Sequence, residues 1–184
     1  MMPRVSVILP VYNRAATLRR CVDTILQQTF HDWELVAVDD ASNDRSVEVL
    51  ESYQDPRIRI IQHSVNKGPS GARNTAIAAA RGEFLALIDS DDEWLPLKLD
   101  EQMALLTSGE CELCGCEYFA VEEGKERHVQ LPEPDSWAQY LHTRCDLGNG
   151  TTLVVRKDVV ERVGPLDESL RFYEDWDWVL RMAQ

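Results

Sequence analysis

The stretch Phe84-Leu-Ala-Leu-Ile-Asp89-Ser90-Asp91-Asp92 decides how the rest of the chain folds. Its apolar run shows no polar alternation, which is typical of a strand covered on both faces in a parallel sheet. The three carboxylates would then lie at the carboxyl end of that strand, where open α/β sheets bind their ligands. Carboxylates this close together repel one another and favour a hard cation such as Mg²⁺ or Mn²⁺. An acidic turn that caps the next helix is the alternative interpretation.

Two earlier apolar runs also end in polar residues. The first leads into Tyr12 and Asn13, and the second ends in Asp39 and Asp40. Strands alternate with helical patterns, which predicts βαβ units and a mainly parallel sheet with these polar ends at one edge. The predicted elements are strands over 4–10, 33–40, 57–62 and 84–88, helices over 18–26, 72–80 and 96–106, a helix capped by Ser42 or Asn43 that ends at Tyr53, and a loop over 66–71.

The pattern changes after residue 108. Two strands flank a hairpin turn, and short helices and one further strand follow. The predicted elements are strands over 110–121, 127–131 and 151–156, a turn over 122–125, and helices over 137–142, 157–163 and 174–182. The abrupt end at Gln184, without a terminal turn or tail, predicts that the sequence is a fragment.

Composition and charge narrow the function. The 184 residues suit one domain, and the formal net charge of −13 argues against nucleic-acid binding, which needs a basic surface. We find neither an apolar run of membrane-spanning length nor a signal peptide. With five cysteines and no secretory signal, we expect reduced thiols and a cytoplasmic protein. Peripheral attachment at the inner face of a membrane is compatible with these features.

A zinc site is not favoured. Cys111, Cys114 and Cys116 lie together and Cys145 follows far downstream, but the spacing does not give paired Cys-x-x-Cys knuckles. Buried free cysteine behaves as a small apolar side chain, which suits the strand predicted there. The four histidines occupy separate contexts and form no ligand cluster.

These pieces together resemble the family 2 inverting glycosyltransferases, nucleotide-diphospho-sugar transferases with the GT-A fold. The resemblance covers the chain from Val5 to Arg181. The matching motifs are Pro10-Val-Tyr12-Asn13, Val38-Asp-Asp40-Ala41-Ser42-Asn-Asp44, Asn66-Lys-Gly68, Ala72-Arg73-Asn74, Asp89-Ser90-Asp91-Asp92 and Glu174-Asp175. One departure is Ala41, where the family commonly has glycine. The resemblance implies a nucleotide-sugar-binding half over 1–108 and an acceptor-side half over 109–184 within one domain.

The resemblance also implies roles in the binding of a nucleotide sugar, with UDP favoured. Tyr12 would stack on the base, between Pro10 and Asn13, and Asp40 would accept the imide N–H of uracil. Asp39 would have the more structural role. Arg73 would approach the phosphates or support the loop Asp89-Ser90-Asp91-Asp92, which we name the acidic loop. The alternative is that Arg73 forms a salt bridge that only stabilises the fold.

The acidic loop would hold Mn²⁺ or Mg²⁺ through Asp91 or Asp92. In this interpretation Asp89 and Ser90 complete the donor site, with Asp89 orienting the ribose or the metal shell. Asp175 would be the general base, with Glu174 as its rival. Asp175 could instead be an ordinary acid in the first turn of a helix.

The implied activity is metal-dependent, inverting sugar transfer to the hydroxyl of a glycan or lipid-linked glycan, in polysaccharide, lipopolysaccharide or glycoconjugate synthesis. A nucleotidyltransferase is less favoured, because the loop Val11-Tyr-Asn-Arg-Ala15 lacks the glycines of a phosphate loop. The third alternative is a nucleotide-binding module without turnover.

Overall fold

A twisted sheet of six strands forms the centre of the protein. The computed structural model describes residues 2–143 and 150–184, which contain eight strands. They are β1 (Val5–Val11), β2 (Trp33–Asp39), β3 (Ile58–Gln62), β4 (Phe84–Leu87), β5 (Leu113–Cys114), β6 (Tyr118–Glu122), β7 (Lys125–Val129) and β8 (Val154–Arg156). The main sheet has the order β3-β2-β1-β4-β8-β5, and β6 and β7 form a separate hairpin. Strands β1 to β4 are parallel, whereas β8 runs antiparallel to both β4 and β5. The prediction of a mainly parallel α/β fold is confirmed.

Helices cover both faces of this sheet. They are α1 (Leu18–Leu26), α2 (Ser46–Glu51), α3 (Gly68–Ala79), α4 (Lys98–Ser108), α5 (Trp137–Leu141), α6 (Lys157–Val163) and α7 (Glu174–Met182). Side chains of α1, α2 and α4 pack on one face, and those of α3, α6 and α7 pack on the other. Alternate residues of β1 serve the two layers, with Val7 and Leu9 on one side and Ile8 on the other. This two-sided burial explains the apolar runs in the sequence. Among the described residues, no helix combines the length and apolarity needed to cross a bilayer.

The strand register brings the predicted polar ends together. Val11 pairs with Asp39, Asp39 pairs with Gln62, and Ile8 pairs with Leu87. The residues that follow β1, β2 and β4 therefore leave the sheet at the same edge, as the sequence predicted. Strand β1 continues through Pro10, where it was expected to end. Pro10 lacks an N–H on the side of β1 that faces β4. Because β4 already ends opposite Ile8, no hydrogen bond between the two strands is lost.

Several predicted boundaries were wrong. Helix α2 begins at Ser46 because the side chains of Ser42 and Asp44 are bonded to the loop that follows β1. Helix α3 begins at Gly68, inside the predicted loop. Pro69 is accommodated in its first turn, where a helix needs no N–H bond. Helix α4 begins at Lys98, two residues after Pro96, in place of the predicted start at Pro96.

The second half also differs in detail from the predictions. The strand predicted over 110–121 is divided, because Cys114 pairs with β8 whereas Tyr118 pairs with β7. The hairpin turn is centred on Glu123 and Gly124, both with positive φ, which matches the twist of a two-residue hairpin. The return strand ends at Val129, and a 3-10 turn over Gly150–Thr152 occupies the predicted start of β8.

Trp178 anchors helix α7 in the core. Trp178 is fully buried, and its Nε1 donates to the carbonyl of Gly164 at 3.0 Å. We expect Trp178→Ala to lower the free energy of unfolding by about 3–5 kcal/mol, the usual cost of deleting a buried aromatic side chain. Denaturant titration measures this loss, and Trp137→Ala is the matched control because Trp137 is 38% exposed. Equal losses in the two variants would contradict the packing described for α7.

Candidate active site

Three loops at the carboxyl edge of the sheet are bonded to one another. The backbone N–H of Asn13 donates to Ser42 Oγ at 2.9 Å, and the N–H of Asn43 donates to Asn13 Oδ1 at 2.9 Å. Arg14 reaches the acidic loop, with Nη2 3.4 Å from Asp91 Oδ2. The loops after β1, β2 and β4 therefore form one continuous surface.

Two residues of these loops adopt a left-handed backbone conformation. Asn13 has φ +54° and Ala41 has φ +61°. Asparagine tolerates this region, whereas a residue with a plain Cβ pays roughly 1–2 kcal/mol to enter it. A positive φ is the conformation that glycine adopts most readily, and this chain adopts it at position 41 with alanine.

Tyr12 is available to a ligand. It follows the last residue of β1 and is 46% exposed, so it does not cap the core. Pro10, two residues earlier, lies within β1 and is half-buried. The exposed ring at the edge of the sheet is suited to stacking on a planar group.

The carboxylate of Asp40 is hydrogen-bonded within the protein. Its carboxylate accepts the backbone N–H of Lys67 at 2.9 Å and of Gly68 at 2.8 Å, and His63 Nδ1 lies 2.6 Å from Oδ1. The side chain is buried, and these contacts fix the loop that leads into α3. Both oxygens of Asp40 are thus occupied by the protein, and its role as the base-binding carboxylate stays a prediction.

Asp39 has the free acceptor. Its Oδ2 accepts the N–H of Ser42 at 3.0 Å, but its buried Oδ1 has no hydrogen-bond partner among the residues that the structure describes. An unsatisfied buried acceptor costs about 1–3 kcal/mol, so it points to a donor on a ligand. The sequence indicates the availability of Asp39 only weakly: of the two adjacent aspartates, Asp39 is the one that ends the strand.

The acidic loop is organised by a residue that the sequence did not indicate. Thr151 Oγ1 accepts the N–H of Asp89 at 2.9 Å and donates to Asp92 Oδ2. Burial raises the pKa of the Asp92 carboxyl, and the charges of Asp89 and Asp91 raise it further against the hydrogen bond from Thr151. Asp91 is exposed and Ser90 is buried. Asp89 and Asp91 each have an arginine partner, whereas no ion pair is found for Asp92 among the described residues.

Arg73 joins the acidic loop to α7. Its side chain is only 7% exposed, with Nη2 2.6 Å from Asp89 Oδ1 and Nη1 2.9 Å from Glu174 Oε1. Burial alone would lower the pKa of Arg73, but the two nearby carboxylates outweigh that effect and raise it. Asn74 adds a second link, since it bonds the backbone of Leu166 in both directions. Both residues connect α3 to the segment that contains the candidate base.

The two acids of α7 have different environments. Glu174 is held by Arg73, whereas Asp175 accepts only the N–H of Trp176 among the hydrogen bonds found for its side chain in the described residues. Burial raises the pKa of Asp175, and the nearby charges of Glu174 and Asp89 add to this effect, while the Trp176 N–H and Arg73 oppose it. A half-buried carboxylate with a raised pKa and no cation of its own is suited to accept a proton.

The donor set fits a divalent cation that a ligand helps to hold. Within residues 2–143 and 150–184, no group of three or more His, Cys, Asp or Glu side chains is arranged to bind a metal ion. Mg²⁺ typically takes one or two protein carboxylates and completes its shell with substrate phosphates and water. Asp91 and Asp92 can supply that share. Cys145, the fourth cysteine of the disfavoured zinc interpretation, lies outside the described residues.

Comparison with known proteins gives a family. The sequence model of glycosyl transferase family 2 matches residues 6–159. The uncharacterized glycosyltransferase EpsJ of Bacillus subtilis is 33% identical over 188 residues, which cover 95% of this chain and 54% of EpsJ. WfgD of Escherichia coli, a UDP-Glc:α-D-GlcNAc-diphosphoundecaprenol β-1,3-glucosyltransferase, is 39% identical over 102 residues, which cover 55% of this chain and 40% of WfgD. The chain thus spans about half the length of the curated relatives that it matches.

Solved structures show the same fold. Residues 1–349 of S. aureus TarS superpose with a TM-score of 0.81 at 22% identity, over 98% of this chain and 55% of that one. TarS has also been solved in complex with UDP and with UDP-GlcNAc. The mannosyltransferase PcManGT of Pyrobaculum calidifontis, in complex with GDP-Man and Mn²⁺, gives a TM-score of 0.76 at 22% identity, over 100% of this chain and 52% of that one. These similarities establish the GT-A fold.

The Arg73 bridge is open to a direct test. We expect Arg73→Met to lower the free energy of unfolding by about 3–5 kcal/mol, because it leaves two largely buried carboxylates without their cation. Denaturant titration at neutral pH measures the change. Arg162→Met is the matched control, since Arg162 pairs with Asp158 and Glu112 at the surface and such pairs contribute roughly 0–1 kcal/mol. A loss below 1 kcal/mol in Arg73→Met would show that the bridge does not support the fold.

Proposed function

The chain belongs to glycosyl transferase family 2, and on this premise we propose that it transfers a sugar from a nucleoside diphosphate, UDP, to a hydroxyl acceptor. The observation that carries the proposal is the Arg73 bridge, which sets Glu174 and Asp175 beside the acidic loop after β4. A carboxylate able to accept a proton then lies next to carboxylates able to support a diphosphate, as a direct displacement requires.

The nucleoside half of the donor binds across the loops after β1 and β2. Tyr12 stacks on the base, a contact worth about 1–3 kcal/mol, and Pro10 and Asn13 flank it. Asp39 Oδ1 accepts the imide N–H of uracil, which cytosine lacks. Because that oxygen is closed off from solvent, this contact requires neighbouring side chains to move. The TarS complexes with UDP and UDP-GlcNAc support a uridine donor.

The diphosphate lies at the acidic loop. Asp91 and Asp92 would hold Mn²⁺ or Mg²⁺, which when bound neutralises the charge of the diphosphate and makes it a better leaving group. The Mn²⁺ in the PcManGT complex supports this role. Asp89, fixed by Arg73, orients the ribose or the coordination shell, and Ser90 shapes the loop between the carboxylates.

Asp175 serves as the general base. It takes the proton of the acceptor hydroxyl while that oxygen bonds to the anomeric carbon, and the bond from this carbon to the diphosphate oxygen breaks. Attack from the face opposite the leaving group inverts the anomeric configuration. Glu174 keeps its ion pair with Arg73 and positions the helix that carries Asp175.

The acceptor is the hydroxyl of a glycan or of a lipid-linked glycan. The name of WfgD gives its acceptor as a sugar on diphosphoundecaprenol, and WfgD matches the part of this chain that contains the donor-binding loops. The proposed setting is polysaccharide, lipopolysaccharide or glycoconjugate synthesis in the bacterial cytoplasm, with peripheral attachment to the membrane. The halves 1–108 and 109–184 then contribute the donor and acceptor sides.

One other function has an observation in its favour. The chain spans about half of its curated relatives, so residues 1–184 could bind the donor without turnover. Release of UDP that depends on an acceptor would identify the enzyme. Metal-dependent UDP binding without sugar transfer, measured with sequence added beyond Gln184, would identify the binding module.

The base-binding carboxylate can be located by two isosteric variants. We expect Asp39→Asn to weaken UDP binding about 10-fold or more, because a charge-assisted hydrogen bond contributes about 1.5–3 kcal/mol. Calorimetry with UDP and CDP measures the loss, and the preference for UDP over CDP should fall with it. Asp40→Asn is the comparison, and we expect it to lower the melting temperature because Asn cannot accept all three bonds that Asp40 accepts. A loss of UDP preference confined to Asp40→Asn would return the role to Asp40.

The assignment of Asp175 as the general base predicts how the rate of transfer depends on pH. Asp175→Asn should lower kcat by about 10²–10⁴-fold and leave UDP affinity nearly unchanged. In the unsubstituted protein, kcat/KM should rise as Asp175 loses its proton. Because the pKa of Asp175 is raised, this rise should lie at higher pH than for an ordinary aspartate. Glu174→Gln, which keeps an oxygen for Arg73, should retain the rise. Normal turnover in Asp175→Asn would overturn the assignment.

A further inference from the structure

One face of α1 carries a row of polar side chains. Thr17, Cys21, Thr24 and Gln28 are spaced by four, three and four residues, so they lie in line along the helix and its two ends. Cys21 and Gln28 are fully buried. We name these four residues the polar stripe. An apolar helix face would have sufficed to cover the sheet, so the polar atoms need another explanation.

The first half of the polar stripe contacts the carbonyl groups of the acidic loop. Thr17 Oγ1 donates to the carbonyl of Ser90 at 3.0 Å. Cys21 Sγ donates to the carbonyl of Asp89 at 3.5 Å. Both acceptors are backbone atoms, so the contacts fix the path of the chain and leave the carboxylates free for a ligand.

The second half contacts the segment that follows. Thr24 Oγ1 accepts the N–H of Trp94 at 3.1 Å. Gln28 donates through Nε2 to the carbonyl of Leu95 at 2.9 Å, and its Oε1 accepts the N–H of Leu99 at 3.1 Å. From Asp89 to Leu99, the backbone is thus held at five points by one helix.

The opposite side of the loop is held as well. Thr151 contacts Asp89 and Asp92, and its carbonyl accepts Nε1 of Trp94 at 3.1 Å. The acidic loop therefore lies between α1 and the 3-10 turn over Gly150–Thr152. Mutual repulsion of three carboxylates would otherwise spread such a loop, and fixed backbone bonds oppose this movement.

We propose that the polar stripe positions the acidic loop for its ligand, so that its four residues set the affinity for the cation and diphosphate without contacting either. The inference rests on the proposed function for the identity of that ligand. The held loop avoids the ordering cost that a mobile loop would incur on binding, which is the benefit of preorganisation.

Threonine-to-valine variants test the proposal. Thr17→Val and Thr24→Val remove one hydroxyl each and keep the shape of the side chain. The lost bond should raise the Mn²⁺ concentration that half-saturates UDP binding by about 2–10-fold, as measured by calorimetry. Thr17→Ser and Thr24→Ser restore the hydroxyl and should restore the affinity. Thr107→Val is the matched control, since Thr107 Oγ1 bonds only within α4, to the carbonyl of Met103 at 2.7 Å and more weakly to that of Ala104.

A second readout does not depend on ligand. Thr24→Val should speed hydrogen exchange at the amide of Trp94, whereas Thr107→Val should not. Unchanged exchange there, or valine variants that lose thermal stability but keep the Mn²⁺ dependence of the unsubstituted protein, would overturn the proposal. If the unsubstituted protein fails to bind UDP with Mn²⁺, the proposed function is refuted, and the exchange rates alone then decide whether the polar stripe holds the loop.

Discussion

A single buried guanidinium sets the arrangement of the candidate site. Arg73 lies between Asp89 and Glu174, which are 16 and 101 residues away in the sequence. In a chain with a formal net charge of −13, two largely buried carboxylates could not approach this closely without it. Because the fork of Arg73 holds both acids in fixed directions, this side chain ties the first residue of α7 to the acidic loop.

The main elements could be predicted because burial on both faces leaves a strong pattern in the sequence. The runs that became β1, β2 and β4 are continuously apolar, and α1 shows regular helical spacing. The ends of helices and strands could not be predicted where tertiary hydrogen bonds determine them. Ser42 could cap a helix by its local sequence, but its hydroxyl binds Asn13 from a different loop, and α2 starts later. The division of 110–121 likewise depends on partner strands far away in sequence.

The candidate site was predictable in position and only partly in detail. Polar residues at strand ends indicated the edge, but neighbouring acids such as Asp39 and Asp40 differ only in their partners. His63 and the N–H groups of Lys67 and Gly68 take up Asp40, and nothing local to the Asp-Asp pair shows this. Thr151 and the polar stripe of α1 contact the acidic loop from 59 to 73 residues away, at distances in sequence where no spacing rule applies.

The antiparallel strand β8 has a consequence for how the protein moves. It is hydrogen-bonded to β4, which carries the acidic loop, and to β5, which opens the second half of the chain. The two halves therefore share one continuous main-chain ladder, and a hinge that separated them would break it. Cleft opening by rigid-body rotation, common in enzymes built from two domains, would require β8 to unpair from β4 or β5 in the described residues. In the proposed function, entry of the donor and release of the product would therefore use the loops at the rim.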